Sequence, residues 1–121
     1  MASRSALRRE ALVRRFRRLF PSLGIEGRAL APALWRSLAG QPFDLVVNAT
    51  PVGLKPRDPA LVPASFFRAR KLVVYDFIYR PERTKLLRVA AHAGQRTANG
   101  LGMLLYQGAQ AFEIWTAGDA A

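Results

Sequence analysis

Lys71-Leu-Val-Val-Tyr-Asp76 is a run of apolar, partly β-branched residues that stops on a carboxylate. Phe43-Asp-Leu-Val-Val-Asn48 is a second run of the same kind; it stops on an amide and leads into Ala49-Thr50-Pro51-Val52-Gly53. Near-continuous apolar runs of this length suit strands of a parallel sheet covered on both faces. Between the two runs, residues 54–65 are rich in proline and alternating charge, which predicts a loop with about one helical turn. After Asp76, Pro81 is placed as the first residue of a helix. Leu86, Leu87 and Ala90 form its buried face, and Gly94 is its stop. Arg96-Thr97-Ala98 then reads as a short strand, and Leu101 to Trp115 as an amphipathic helix.

The same alternation holds upstream. Ser5 caps a helix reaching Phe20, with apolar positions Leu7, Ala11, Leu12, Phe16, Leu19 and Phe20 and with its arginines mostly opposite. Pro21 and Gly24 end it. Gly24 to Leu30 is predicted as a short strand, and Pro32 to Leu38 as a short helix closed by Gly40. Strands alternating with helices define an α/β chain with a parallel sheet.

Composition sets bounds on function. The chain has 121 residues, half of them hydrophobic, which fits one domain with a modest core and argues against disorder. It has no cysteine, so disulfides and thiolate metal sites are excluded. No apolar run reaches the roughly 20 residues that cross a bilayer. The formal net charge of +11, mostly arginine, raises a polyanion partner. The densest basic stretch is Arg8 to Arg18, and the helix that carries it offers only the aromatics Phe16 and Phe20, both on its apolar face, so a nucleic-acid-binding module is the alternative rather than the first reading. The first 20 residues also overlap in composition with a mitochondrial transit peptide. A capped amphipathic helix accounts for them directly.

In open parallel sheets, ligands bind beyond the carboxyl ends of the strands. Here those ends are Asn48-Ala49-Thr50 and Asp76-Phe77-Ile78-Tyr79. The plain structural alternative is that Asn48 and Asp76 organise turns. In the last helix Gly100, Met103 and Gln107 share one face. At the start, Ser3-Arg4-Ser5-Ala6-Leu7-Arg8 places two hydroxyls, two guanidiniums and a helix N-terminus within one turn. That set suits a phosphate if the residues before Ser3 end a strand; the alternative is a solvated basic face. His92, the only histidine, is given a surface or half-buried role rather than a catalytic one. Asp44, Asp76 and Asp119 are too scattered to form a carboxylate pair, and the sequence contains no Gly-x-Gly-x-x-Gly.

Three of these segments, in order and spacing, resemble the shikimate dehydrogenase family. Phe43 to Thr50 with Gly53 is similar to its "DLVINAT…G" segment. Val74-Tyr-Asp-Phe-Ile-Tyr79 with Pro81, Thr84 and Leu86-Leu87 is similar to "D-x-x-Y-x-P-x-x-T-x-L-L". Asn99 to Phe112 with Trp115 is similar to the closing "NGLGMLV-Q-A-AF-W" helix. Ser3 to Arg8 resembles the "NRTxxR" signature, with serine in place of both Asn and Thr.

The resemblance implies an α/β fold: a partial Rossmann-like parallel sheet flanked by helices, lacking the first strand and helix. On this reading residues 1–121 form an incomplete NADP-binding domain with the family's C-terminal helix. Ser3, Arg4, Ser5 and Arg8 would hold the 2′-phosphate of NADP. Thr50, Phe77, Gly100 and Met103 would line the cofactor channel. Tyr79 and Gln107 would contact shikimate or 3-dehydroshikimate. No catalytic residue is assigned, because the family's Lys–Asp pair belongs to an N-terminal domain that this sequence does not show. The expectation is therefore a cytoplasmic oxidoreductase fragment of aromatic amino acid biosynthesis, inactive alone, without nucleic-acid or membrane partners. A quinate-using paralogue is a further alternative. A parallel sheet without a central strand leaves backbone groups unpaired at about 1–3 kcal/mol each. A marginal chain, a homo-oligomer, or association with a separate N-terminal half is expected accordingly.

Overall fold

The computed structural model describes residues 1–38 and 40–117. Its chain forms two compact units, Met1–Gln41 and Pro42–Ala121. Both are parallel α/β structures, as the strand–helix alternation predicts.

The first unit is a strand–helix–strand crossover followed by a short helix: β1 (Ala2–Ser3), α1 (Ala6–Leu19), β2 (Arg28–Ala29) and α2 (Pro32–Ser37). β1 and β2 pair in parallel, Ala2 opposite Arg28 and Ser3 opposite Ala29. Ser5 is the N-cap of α1, its side chain accepting from the Arg8 N–H at 3.3 Å. Val13 is the buried residue of α1, while Leu7, Leu12 and Leu19 are exposed. The covered stripe is thus centred on Val13 rather than on the leucines expected from spacing. The cause is the closeness of the Gly27 backbone, where an added Cβ would fall 2.8 Å from both Arg9 Cγ and Val13 Cγ2. Arg17 folds back to donate to the Ile25 carbonyl at 3.0 and 2.8 Å, which ties the end of α1 to the returning chain.

The second unit comprises β3 (Leu45–Asn48), α3 (Ala64–Phe67), β4 (Val73–Asp76), α4 (Lys85–His92), β5 (Arg96–Asn99) and α5 (Leu101–Ala117). The strands are parallel in the order β3-β4-β5, and the register aligns Asn48, Asp76 and Asn99 across the sheet. Leu72, Val74, Asp76 and Ile78 alternate onto one face and are all buried. With Phe66, Phe67, Leu86, Leu87 and Ala90 they make the core between the sheet and α3 and α4. On the other face Leu45 and Val47 remain 53% and 45% exposed. The expectation of a strand covered on both faces fails for β3, because α3 and α4 pack on a single side.

Two further expectations are corrected. Pro81 does not begin α4. It follows the cis Arg80–Pro81 bond, and the helix starts at Lys85 behind Thr84. Thr84 is the better cap because its hydroxyl oxygen accepts from the Leu87 N–H at 3.3 Å. The last helix is not amphipathic in effect: none of its residues is buried, and Leu105, Tyr106, Phe112, Ile114 and Trp115 are all exposed. Gly94 closes α4 as expected, at φ +77, the left-handed conformation that a C-terminal glycine adopts without strain.

Candidate functional site

Ser3 ends β1 and Ser5 caps α1, so the residues Ser3 to Arg8 form the carboxyl-end turn of a parallel strand and the start of a helix. This meets the condition set for a phosphate site. The Ser3 hydroxyl accepts from the Ser5 N–H at 3.3 Å, and Arg9 donates to the Ser3 carbonyl at 3.2 Å. Each serine oxygen thus orders the turn as an acceptor while its own hydrogen stays available to donate. Arg4 and Arg8 are exposed, and their guanidiniums have no hydrogen-bond or ion-pair partner among the described residues. The first turn of α1 carries no acid, so nothing there opposes the positive end of the helix. The donor set therefore fits a dianionic phosphate.

In the second unit the expected residues gather at the carboxyl end of the three-stranded sheet. Thr50 follows Asn48, Phe77 follows Asp76, and Gly100 follows Asn99, the three residues aligned by the register. A buried hydrogen-bond cluster builds this end. Asp76 is fully buried; its Oδ1 accepts from Asn48 Nδ2 at 3.0 Å and from the Ile78 N–H at 3.1 Å, and its Oδ2 accepts from the Thr84 hydroxyl at 2.7 Å. Asn48 also donates to the Val52 carbonyl at 3.0 Å and accepts from the Thr50 N–H and hydroxyl at 3.0 and 2.8 Å. Asn48 and Asp76 organise turns, and with both oxygens engaged Asp76 is not free to act as a base. The Thr50 hydroxyl is likewise spent, donating to Asn48 and accepting from the Val52 N–H at 3.2 Å.

Phe77, Tyr79 and Met103 are 43%, 47% and 40% exposed, open to a ligand at this end. Gln107 is exposed, and its amide has no partner among the described residues. Gly100 is buried, and a Cβ there would meet the Phe77 carbonyl oxygen at 2.1 Å and its carbon at 2.7 Å. The immediate reason for glycine is thus the chain after β4, which lies against it. An open groove of about 720 Å³ runs beside this end, with Tyr75, Arg83, Asn99, Gly102, Met103 and Tyr106 among its walls. Of the expected residues, only Met103 lines it.

Sequence reasoning missed two structural side chains. Gln95 is buried and donates to the carbonyls of Phe67, Arg70 and Ala93 while accepting from the Leu72 N–H. The available signal was a long amide directly between a helix-closing glycine and a strand. Asp58 accepts from the Gly53 and Lys55 N–H groups at 2.8 and 3.0 Å. Those two bonds, assisted by the charges of Lys55 and Lys85, hold its carboxyl below the usual aspartate range. Because the folded value lies below the unfolded one, the stabilisation is present above the unfolded value and is lost as pH falls through the folded one. Asp58→Asn should therefore weaken the turn at neutral pH and match the parent chain in acid. Melts across pH check this, and a constant difference at every pH would contradict it.

His92 is exposed, with Nδ1 2.8 Å from the Arg88 carbonyl, which matches its surface assignment. Asp119 lies outside the described residues. Among the described residues no group of three or more His, Cys, Asp or Glu could hold a metal, and no helix is long and apolar enough to cross a membrane.

Parallel strands flanked by helices, with polar residues collected beyond the strand carboxyl ends, define a Rossmann-like α/β class. Within that class the chain is similar to the C-terminal portion of shikimate dehydrogenases. Residues 100–120 match the family model described as the shikimate 5′-dehydrogenase C-terminal domain. The shikimate dehydrogenase (NADP(+)) of Listeria monocytogenes is 48% identical over 73 residues, which are 60% of this chain and 25% of that protein. A crystal structure of a shikimate dehydrogenase in complex with NADP+ aligns with a TM-score of 0.80 at 36% identity, covering 96% of this chain and 40% of the other. A quinate dehydrogenase from Corynebacterium glutamicum in complex with NAD aligns at 0.79 and 27% identity, covering 96% and 40%. The chain spans about a quarter of the length of the curated relatives it matches.

Proposed function

We propose that this chain is the NADP-binding C-terminal portion of a shikimate dehydrogenase. The observation that carries the reading is the β1–α1 turn, where Arg4 and Arg8 stand unopposed at a helix N-terminus. Paired guanidiniums with backbone and hydroxyl donors discriminate a 2′-phosphate from a 2′-hydroxyl, and so NADP from NAD. Ser3 and Ser5 hold the turn and donate alongside. In the second unit the open side chains of Phe77 and Met103 offer apolar surface to a nicotinamide ring, and Thr50 and Gly100 shape the backbone there. The Tyr79 hydroxyl and the Gln107 amide offer hydrogen bonds to a polyhydroxylated ring acid such as shikimate.

When bound, NADPH supplies a hydride to the C3 carbonyl carbon of 3-dehydroshikimate. The carbonyl oxygen then needs a proton, which the family resemblance assigns to a lysine paired with an aspartate in a substrate-binding domain. Among the described residues no lysine forms an ion pair with a carboxylate. The chain alone is accordingly expected not to turn over. The quinate alternative differs in substrate, and the similar quinate dehydrogenase is in complex with NAD, which has no 2′-phosphate for Arg4 and Arg8 to hold.

Replacing Arg4 or Arg8 by alanine should weaken NADP+ binding by about tenfold each, the size of one lost charge-assisted interaction. NAD+ binding should not change. Calorimetric titration of the 121-residue chain with both dinucleotides checks this. Equal losses for the two, or no preference for NADP+ in the parent chain, would reject the phosphate assignment.

A further inference from the structure

The last helix, α5, has two sides, and the dinucleotide reading uses one of them. Met103 and Gln107 share their side with Gln110 and Glu113. On the opposite side Leu101, Leu104, Leu105, Gly108, Phe112 and Trp115 recur every three or four residues and form one unbroken apolar stripe. Nothing covers it: Leu105, Phe112 and Trp115 are 70%, 65% and 76% exposed, and a Cβ on Gly108 would meet nothing within 4 Å. Its five large side chains leave on the order of 600 Å² of apolar surface open, at the top of what a soluble monomer exposes in one patch. Most helix stability in proteins comes from packing an apolar face, and α5 buries no residue at all.

We propose that a second copy of this chain covers the stripe, the two α5 helices crossing antiparallel at Gly108 about a two-fold axis. The stripe is complementary to itself in that arrangement. With Gly108 on the axis, Leu101 faces Trp115 of the partner subunit and Leu104 faces Phe112 of the partner subunit, so each pairing sets a leucine against a large aromatic ring. The crossing point carries no side chain, and helices packed about 8–10 Å apart accept glycine or alanine there. Charge favours the same occupant. The chain has a net charge of +11, yet no lysine or arginine follows Arg96, so two copies can meet here without opposing guanidiniums. The one charged residue of α5, Glu113, lies on the other side. Two such stripes together bury on the order of 1,200 Å², the lower bound of a specific interface. A two-fold contact uses the same patch on both copies and closes at a dimer.

Sedimentation equilibrium of the 121-residue chain should give twice the 13.4 kDa monomer mass. Leu105→Glu should weaken the dimer about thirtyfold, the effect of one central interface residue. Ile114→Glu makes a similar change at similar exposure on the other side of α5, and should leave association within about twofold of the parent. Neither position is buried, so the amide spectrum of β3–β5 should not change in either variant. The sequence has no cysteine, so introduced cysteines report the register. Gly108→Cys should oxidise to a linked dimer by itself. Leu101→Cys should not, but should cross-link when mixed with Trp115→Cys. Equal losses from Leu105→Glu and Ile114→Glu, aggregates larger than a dimer, or cross-linking of Leu101→Cys alone would overturn the proposal. A monomer at every concentration would also overturn it, and would assign the stripe to a different chain.

Discussion

Asp76→Ala should cost the fold about 3–5 kcal/mol, because it leaves three buried neutral donors without their acceptor. The carboxylate accepts from Asn48, Ile78 and Thr84, each within 3.1 Å, and is fully buried. Its removal leaves a side-chain amide, a backbone N–H and a hydroxyl without their acceptor, at about 1–3 kcal/mol each before water relieves part of the loss. A domain has only about 5–15 kcal/mol in hand, so the second unit would lose much of its stability. Asp76→Asn keeps the volume and one acceptor oxygen, and Thr84 can turn its hydroxyl to accept from the new amide. It should lose about half as much. Urea melts of the two variants check the ordering; an alanine variant within about 1 kcal/mol of the parent would contradict the account of this cluster.

Gly100→Ala should cost about 3 kcal/mol, the upper end of ordinary overpacking. The added Cβ would stand 2.1 Å from the Phe77 carbonyl oxygen, and a backbone atom cannot swing aside as a side-chain tip can. Relief requires the chain after β4 to move, which displaces Phe77 and Tyr79 together. Gly108→Ala is the control, because a Cβ there meets nothing within 4 Å and lies inside α5. That change should stabilise by about 1 kcal/mol through helix propensity alone. Thermal melts of both variants distinguish a glycine required by close approach from one that is merely tolerated; equal effects of the same sign would contradict the contact.

The Gly100 result bears on what the sequence could disclose. Spacing along the last helix put Gly100, Met103 and Gln107 on one side, but it could not tell whether ligand or protein approaches the glycine. The contact is made by Phe77, 23 positions away, and follows from the β4–β5 register. Strand and helix placement was legible because apolar runs, caps and glycine stops are local signals. The cap at Thr84 was hidden because its hydroxyl is oriented by Asp76, a partner outside its own turn. The bare face of β3 and the uncovered α5 were hidden for a related reason. An apolar residue shows that burial is favourable, but not that a covering element is present. At the proposed phosphate turn the residue types suggested the chemistry, and β1 ends at Ser3, as that reading requires.

Adenosine 2′,5′-bisphosphate isolates the interaction on which the proposed function rests, because it carries the discriminating phosphate without the nicotinamide. Titrated into the 121-residue chain, it should shift the amides of Arg4, Ser5, Ala6 and Leu7 and the side-chain N–H signals of Arg4 and Arg8, whereas adenosine 5′-monophosphate should leave them in place. Equal responses to the two nucleotides, or shifts that avoid residues 3–8, would contradict the assignment of this turn to NADP.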